Sequence, residues 1–413
     1  MANGENHSNS FLQLGQWSYQ PKLKGLSGIY LNTAVRDLAF NLMGIFVPIY
    51  IFKISGSAAV VFLYYFLVEF FVVLTTIPVA KLISRIGPDI SILLSNITRS
   101  VFLVFLTLAK SSKTLFWAST FFEAVTVPLY WLPYHSAFSS QSKRGKLSRQ
   151  IAKLSNITRI VTISAPLIGG LIAQTMGLDV LFPIGILLLI ASSLPIFLDE
   201  YNRKETAVPV KEINEKMALP KNRKLFLGLF FEGLRLPLNG IGWPLILYAV
   251  IPNFEKIGGL TTLTSILCLF TVIWLSKRIN HFNIKTFASG NVARVFVWIA
   301  RGLSLKNPFL IALSDPVFNI SSVFSGLPYT ILTYNLGKKE GFLFFIQREF
   351  ALHGGYMIGN FIVFLILFLG FPWETVIAFT SVCTALMTWF LCRYGKERLK
   401  QLPFPFRPKF GRI

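Results

Sequence analysis

Ser95-Asn96-Ile97-Thr98-Arg99 and Gly290-Asn291-Val292-Ala293-Arg294 are closely similar pentapeptides set 195 residues apart. The same spacing extends outward from them. Asp37 falls opposite Glu232 and Pro133 opposite Pro328 at 195, while Gly44 and Pro48 meet Gly240 and Pro244 at 196, after a slip of one residue. Each copy is written in apolar stretches long enough to cross a bilayer, which takes about 20 residues. A duplicated bundle of membrane helices is the usual architecture of a carrier whose two halves rock about a site between them. The repeat therefore favours a transporter before any motif is weighed.

Apolar stretches of that length fall at 28–52, 58–80, 90–109, 114–138, 150–174 and 179–198, and again at 224–250, 258–275, 285–305, 307–334, 346–370 and 372–392. They predict an all-α polytopic membrane protein with twelve transmembrane helices in two six-helix repeats. The expected divisions are a cytoplasmic N-terminal segment (1–26), an N-terminal bundle (27–198), a linker carrying a short surface helix (199–223), a C-terminal bundle (224–392) and a basic cytoplasmic tail (393–413). Segment 285–305 contains Arg294 and Arg301, and its match to 90–109 is the reason to count it as a span.

Composition agrees with a lipid-facing surface: 53% of the 413 residues are hydrophobic, 15% aromatic and only 14% charged. A net charge of +22 would point to nucleic acid in a soluble chain. Here the basic residues cluster in the loops of one side. With the N-terminus placed in the cytoplasm, that side carries 29 Lys and Arg against 6 outside, the other five lying within helices. That asymmetry orients the chain with both termini cytoplasmic, in a plasma or bacterial inner membrane. Residues 1–26 lack the basic-then-apolar order of a cleaved signal. The three cysteines lie in or beside apolar stretches and imply neither a disulfide framework nor a metal site. The expected partners are a small-molecule substrate, protons or another coupling ion, and membrane lipids, with no nucleic acid; the expected state is a monomer.

Five carboxylates, Asp37, Glu69, Glu123, Glu232 and Asp315, lie about 12–17 Å deep at the helical rise per residue. Five arginines, Arg36, Arg99, Arg159, Arg235 and Arg294, lie at similar depths. Each charge costs at least about 2.5–3.5 kcal/mol at a helix centre, so such residues face a bundle interior or a watery cavity. Two readings stand side by side. The acids and bases pair off structurally, or some carboxylates bind a proton, a cation or a cationic group of a substrate. A carboxylate in a partly dry cavity can exchange protons near neutrality. Asp37 and Glu232, matched across the repeat, are the sharpest candidates, with Arg36 and Arg235 as pairing partners or anion ligands. Trp131, in the aromatic run from Tyr130 to Tyr134, is a candidate pocket wall. Asn41 and Asn239 are candidate hydrogen-bonding groups, or else satisfy kinked backbone beside Pro48 and Pro244. His135 and His353 read as structural. No phosphate-cradling glycine loop, metal cluster or nucleophile elbow is present, so no catalytic residue and no cofactor is expected.

The run Ala80-Lys81-Leu82-Ile83-Ser84-Arg85-Ile86-Gly87-Pro88-Asp89 resembles the signature loop after helix 2 of the major facilitator superfamily. Arg85 and Gly87 match it, Ser84 replaces its acidic residue, and Pro88-Asp89 replaces its basic pair. Ala165-Pro166-Leu167-Ile168-Gly169-Gly170 is similar to that family's helix-5 motif, which is associated with exporters. The resemblance implies twelve helices, alternating access, and a central cavity lined by helices 1, 4, 7 and 10. Asp37, Glu123, Glu232 and Asp315 would put one carboxylate on each. It also implies that Arg85, Gly87, Pro166, Gly169 and Gly170 serve the moving interface. The expected function is secondary active transport of a small organic solute, coupled to protons or another ion, with export favoured. Alternatives are a nutrient uptake carrier or facilitator of the same fold, or a non-transporting membrane sensor or lipid-handling protein.

Overall fold

The computed structural model describes residues 19–20, 27–141, 147–195, 200–201, 210–279 and 281–401. Most of the expected N-terminal segment, much of the linker and residues 402–413 of the tail lie outside them. In chain order the helices are α1 (Ser27–Met43), α2 (Phe46–Ser55), α3 (Ala58–Leu108), α4 (Lys113–Gln141), α5 (Leu147–Thr162), α6 (Ala165–Thr175), α7 (Leu178–Ala191), α8 (Val210–Ala218) and α9 (Pro220–Leu234). A π-helical turn (Leu238–Gly242) leads into α10 (Trp243–Val250), followed by α11 (Phe254–Ser276), α12 (Ile284–Leu303), α13 (Pro308–Glu340), α14 (Phe342–Phe368) and α15 (Trp373–Gln401). Two short strands, β1 (Tyr19–Gln20) and β2 (Glu200–Tyr201), pair antiparallel. Seven described helical stretches are long and apolar enough to cross a membrane, and α7 is a shorter apolar helix. The chain is a multi-pass membrane protein.

Breaks in the helices follow their glycines and prolines. α3 would be an implausible single rod, and it departs from helical geometry at Gly87, with φ +86° and ψ 167°. Only glycine adopts that conformation without strain, and Pro88 then opens the second piece, where its missing N–H costs nothing. Phe71 and Phe105 would stand ~51 Å apart in an unbroken helix. Instead both pack on the Phe121–Phe122 pair of α4, at 5.7 and 5.0 Å between ring centroids, so the two pieces run back alongside each other. Arg85 lies exposed beside this hinge. The break between α1 and α2 falls at Gly44, and the π-helical turn before α10 contains its repeat counterpart Gly240. Interrupted helices at corresponding places in two halves are a recognised pointer to a transport site.

Buried apolar residues gather in two clusters, one at each end of the bundle. One holds Phe138, Ile151, Val272, Tyr334 and Phe345. The other holds Phe46, Phe102, Phe182, Leu245 and Phe254. The buried charges lie between them, so the interior is a polar belt held between two greasy ends. In the linker, α8 buries Ile213 and its carbonyl accepts a hydrogen bond from Gln347 at 3.1 Å.

At the Phe254 end the amino- and carboxy-terminal halves of the chain touch backbone to backbone. A Cβ on Gly170 would strike the Phe254 carbonyl, one on Gly258 the Pro166 carbonyl, and one on Gly169 the Leu42 carbonyl within its own half. Gln174 of α6 accepts the Phe254 N–H at 3.0 Å, and Phe46 meets Phe254 edge-on at 5.6 Å. On the other flank Phe62 lies 6.1 Å from Trp373. Small residues permit such close approach where hydrophobic burial gives no net drive. Gly258→Val is therefore expected to wedge this seam open. Overpacking costs about 1–3 kcal/mol, so labelling of an Ala173→Cys reporter by a membrane-impermeant maleimide, in a background without native cysteines, should rise about tenfold. Unchanged labelling would mean that the seam does not depend on this contact.

Candidate functional site

A cavity of about 720 Å³ lies between the two halves of the chain and extends from the charged belt toward the end where α13 gives way to α14 at Gly341. α1, α4 and α5 form one wall and α11, α13 and α14 the other. That end carries Lys338 and Lys339, in the last turn of α13. Hydroxyls from Thr33, Ser155, Thr158, Ser322 and Thr330 line much of the space, with Trp131, Tyr134 and Tyr329 supplying aromatic surface.

Asp37 is on this wall and is half-buried. Among the described residues no cation lies within ion-pair distance of it; the Thr158 hydroxyl of α5, on the same wall, is its hydrogen-bonding neighbour. Arg36, next in sequence, turns the other way. Its guanidinium sits 3.2 Å from the Tyr130 ring centroid and 4.3 Å from that of Phe40. Such stacking holds a desolvated cation without a carboxylate. Asn41 lines the cavity and donates its amide to the Asp37 carbonyl at 2.8 Å, securing the last turn of α1 before its break. Trp131 also faces the cavity and stacks on His135 at 5.1 Å. Arg159 of α5 lines the same space with no carboxylate partner among the described residues; the Cys268 thiol of α11 is within its hydrogen-bonding reach.

The other three matched carboxylates are engaged elsewhere and are not among the cavity-lining residues. Glu123 of α4 is ion-paired with Arg99 of α3. Glu232 holds Arg235 of the same helix region in a fork, at 2.7 Å to Nε and 2.5 Å to Nη2. Asp315 of α13 pairs with Arg301 at 3.1 Å and also accepts from Trp243 Nε1 at 2.8 Å and from Thr264 at 3.0 Å. Arg301 belongs to the last turn of α12 and is fully buried, stacked 3.4 Å from the Trp243 ring. Its place at a helix edge in the sequence disguises it as a loop residue. Asn239 also stands away from the cavity and reaches back to the Arg235 carbonyl at 3.4 Å. The repeat is thus not electrostatically symmetric. Arg99 has Glu123, whereas among the described residues Arg294 has Ser325 and Asn291 at 3.4 and 3.5 Å, with Phe318 5.0 Å from its guanidinium.

A second feature escapes the sequence. Glu349 of α14 is buried and lines the cavity, although its place beside Arg348 reads as the edge of a loop. Glu349 pairs with Arg348 and accepts from His353 Nε2 at 3.0 Å. His353 Nδ1 faces Glu69 of α3 at 2.5 Å, so the partner of Glu69 is a histidine rather than an arginine. Arg348 Nη1 donates to His135 Nε2 at 3.2 Å, and His135 Nδ1 lies 2.9 Å from the Tyr334 hydroxyl. The chain of contacts runs from α13 through α4 and α14 to α3, along one flank of the cavity. The one signal for it in the sequence is the Glu349/His353 spacing of four, which places both on one helix face.

No protein-family model and no curated protein sequence matches the chain. Among solved structures, a bacterial homologue of the iron transporter ferroportin in its outward-facing state matches with a TM-score of 0.64 at 15% identity, over 89% of this chain and 98% of that one. The human organic anion transporter MFSD10 matches at 0.63 and 13% identity, over 90% and 100%. The E. coli fucose:proton symporter matches at 0.63 and 15% identity, over 89% and 98%.

Proposed function

The chain has the fold of the major facilitator superfamily, and on that premise we propose that it is a secondary active transporter of a small polar organic solute. Twelve crossings in two six-helix repeats rock about the central cavity and expose it alternately to either side of the membrane. The observation that carries this reading is the cavity itself: about 720 Å³ between the halves, walled by both, with Asp37 on its surface and, among the described residues, no cationic side chain within ion-pair distance of it. That volume suits a small organic molecule.

Asp37 is the contact for a cationic group of the solute, or for a coupling proton, and Arg159 is the matching contact for an anionic one. Asn41 and Trp131 complete that wall. Glu123, Glu232, Asp315 and Arg235 act through ion pairs that hold the helices around the cavity, and Arg36 through its aromatic stack. Gly87 hinges α3 beside Arg85, and Pro166, Gly169 and Gly170 form the seam that opens when the halves rock. The conformation, sealed at the Phe254 end, is the one that takes solute from the cytoplasmic side, and the small-residue motif of α6 favours export. The three structural neighbours are a homologue of an iron transporter, an organic anion transporter and a fucose:proton symporter, so the fold by itself selects no cargo. The hydroxyl-rich wall favours a second reading, uptake of a polyhydroxylated nutrient.

A thermal-shift screen of the detergent-purified protein against cationic drugs, zwitterionic amino acids, peptides, sugars and nucleosides tests this. A ligand at 100 times its dissociation constant adds about 2.7 kcal/mol to stability. Hits are expected in one chemical class and should vanish in Asp37→Asn or Arg159→Gln. Hits confined to sugars and indifferent to both substitutions would favour the nutrient reading. No hit across the panel would count against solute transport.

A further inference from the structure

We propose that Glu69, His353 and Glu349 form a proton-binding site that bridges the two halves of the chain and couples proton release to their separation. The proposal rests on the transport reading for its purpose and on hydrogen-bond chemistry for its substance.

Count the hydrogens. His353 points Nδ1 at Glu69 Oε2, 2.5 Å away, and Nε2 at Glu349 Oε2, 3.0 Å away. An ionised carboxylate only accepts, and a neutral imidazole has a single N–H. Both contacts can be hydrogen bonds only if the ring carries two protons or one carboxyl carries one. Either way the trio binds one proton more than two carboxylates and a neutral imidazole. His135 shows the opposite arrangement. Arg348 can only donate, so His135 Nε2 must accept, and the single N–H of a neutral ring is left to Tyr334. The contacts thus place one extra proton in the trio around His353 and leave His135 with the single proton of a neutral ring.

The surroundings favour a retained proton. Glu69, His353 and Glu349 are all buried. The charged groups facing the ring are Glu69 from α3 and Glu349 and Arg348 from α14. His135 from α4 and Tyr329 and Tyr334 from α13 border Arg348, and Tyr65 from α3 and Tyr356 from α14 border Glu69. On α9, the nearest charges, Glu232 and Arg235, are committed to each other. With the proton present, two carboxylates are balanced by the imidazolium and Arg348; without it, one negative charge stands uncompensated in the membrane interior, which is costly. The ring nitrogens point in opposite directions, so the trio is a bridge and not the convergent ligand set a metal requires.

The bridge also spans the moving parts. Glu69 is on α3, and Glu349 and His353 are on α14, in the other half of the chain. Rocking the halves apart at this depth takes Glu69 from the imidazole and opens the site to water. One of the two anions that hold the proton is then lost, and the proton leaves toward the side that has opened. Proton movement is thereby tied to the conformational step without a proton on the solute-contacting Asp37.

The protein has four histidines, at positions 7, 135, 281 and 353, so the site can be read directly in full-length protein labelled with 15N-histidine and reconstituted in nanodiscs. At pH about 8, well above the ordinary imidazole range, the signal missing from His353→Gln should show protons on both ring nitrogens, or an infrared carboxylic-acid band should be present that disappears in Glu69→Gln or Glu349→Gln. Each single carboxamide variant should lower the titration midpoint of the site by about one pH unit or more. Spin labels at Met176→Cys and Glu255→Cys, across the α6–α11 seam in a background without native cysteines, should report a distance distribution that changes with pH and ceases to change in His353→Gln. A neutral His353 with no carboxylic-acid band in the wild type overturns the site, and this requires no variant to fold. A seam that responds to pH identically with and without His353 overturns the coupling. Neither readout uses a transported solute. An empty solute screen therefore leaves the proton site standing, and a deprotonated trio leaves the transport reading standing.

Discussion

Asp37→Asn is expected to abolish solute flux in liposomes while leaving the purified protein folded and close to wild type in thermal stability. Stability should survive because no ion pair is broken. Asp37 has no cation within ion-pair distance among the described residues, and its neighbour Arg36 is held by the rings of Tyr130 and Phe40. The asparagine carbonyl can still accept from Thr158, and the side-chain volume is unchanged. Flux should fail because the solute loses a charged partner. Hydrogen bonds to charged groups contribute about 1.5–3 kcal/mol, which is roughly ten- to a hundredfold in affinity. Asp37→Glu, which keeps the charge one methylene further out, should retain partial flux. Full flux in Asp37→Asn would remove this residue from the mechanism and move attention to Arg159.

The largest effect on stability is expected at Arg301. Its side chain is fully buried, stacked 3.4 Å from Trp243, 4.4 Å from Phe318 and 4.7 Å from Trp298, and paired with Asp315 at 3.1 Å. Arg301→Ala removes the only cation that touches Asp315 among the described residues and leaves a carboxylate stranded in an aromatic interior. Breaking a buried pair from one side costs about 3–5 kcal/mol, and the vacated volume adds to that. Unfolding of the purified protein in mixed micelles, followed by tryptophan fluorescence, measures the loss. Because the cost arises from the orphaned charge, Arg301→Met combined with Asp315→Asn should recover much of it. A loss below about 1 kcal/mol, the range of exposed pairs, would mean that water reaches the site. The same substitution at Lys110, whose pair with Asp179 at 2.5 Å is half-exposed, should be nearly silent.

Local rules explain which features could be read in advance. Lipid leaves no solvent for unsatisfied backbone, so apolar length, glycine and proline nearly determine where helices run and break. The stretches at 58–80 and 90–109 became the two pieces of α3 with the turn at Gly87, and those at 28–52 and 224–250 broke beside Gly44 and Gly240. The small residues of α6 were also legible, since glycines in a span permit close approach between helices. The polar belt was legible too, because charges are costly enough at that depth to imply an interior.

Which charge meets which was not legible, because it depends on the rotation of each helix about its axis and on its neighbour, and neither is encoded by depth. Asp37 and Glu232 are equivalent in the repeat, yet one faces the cavity and the other closes a fork with Arg235 three residues away. Glu69 could have met any arginine in the belt and met a histidine from the other half. Arg348 and Glu349 looked like the rim of a loop, and packing of α14 against α3 drew them into the cavity flank. Chain order and bilayer thickness thus determined the helices and the presence of a charged interior. Helix azimuth and close packing between the halves, long-range properties of the assembled bundle, decided that Asp37 faces the cavity while Glu123, Glu232 and Asp315 are paired with arginines.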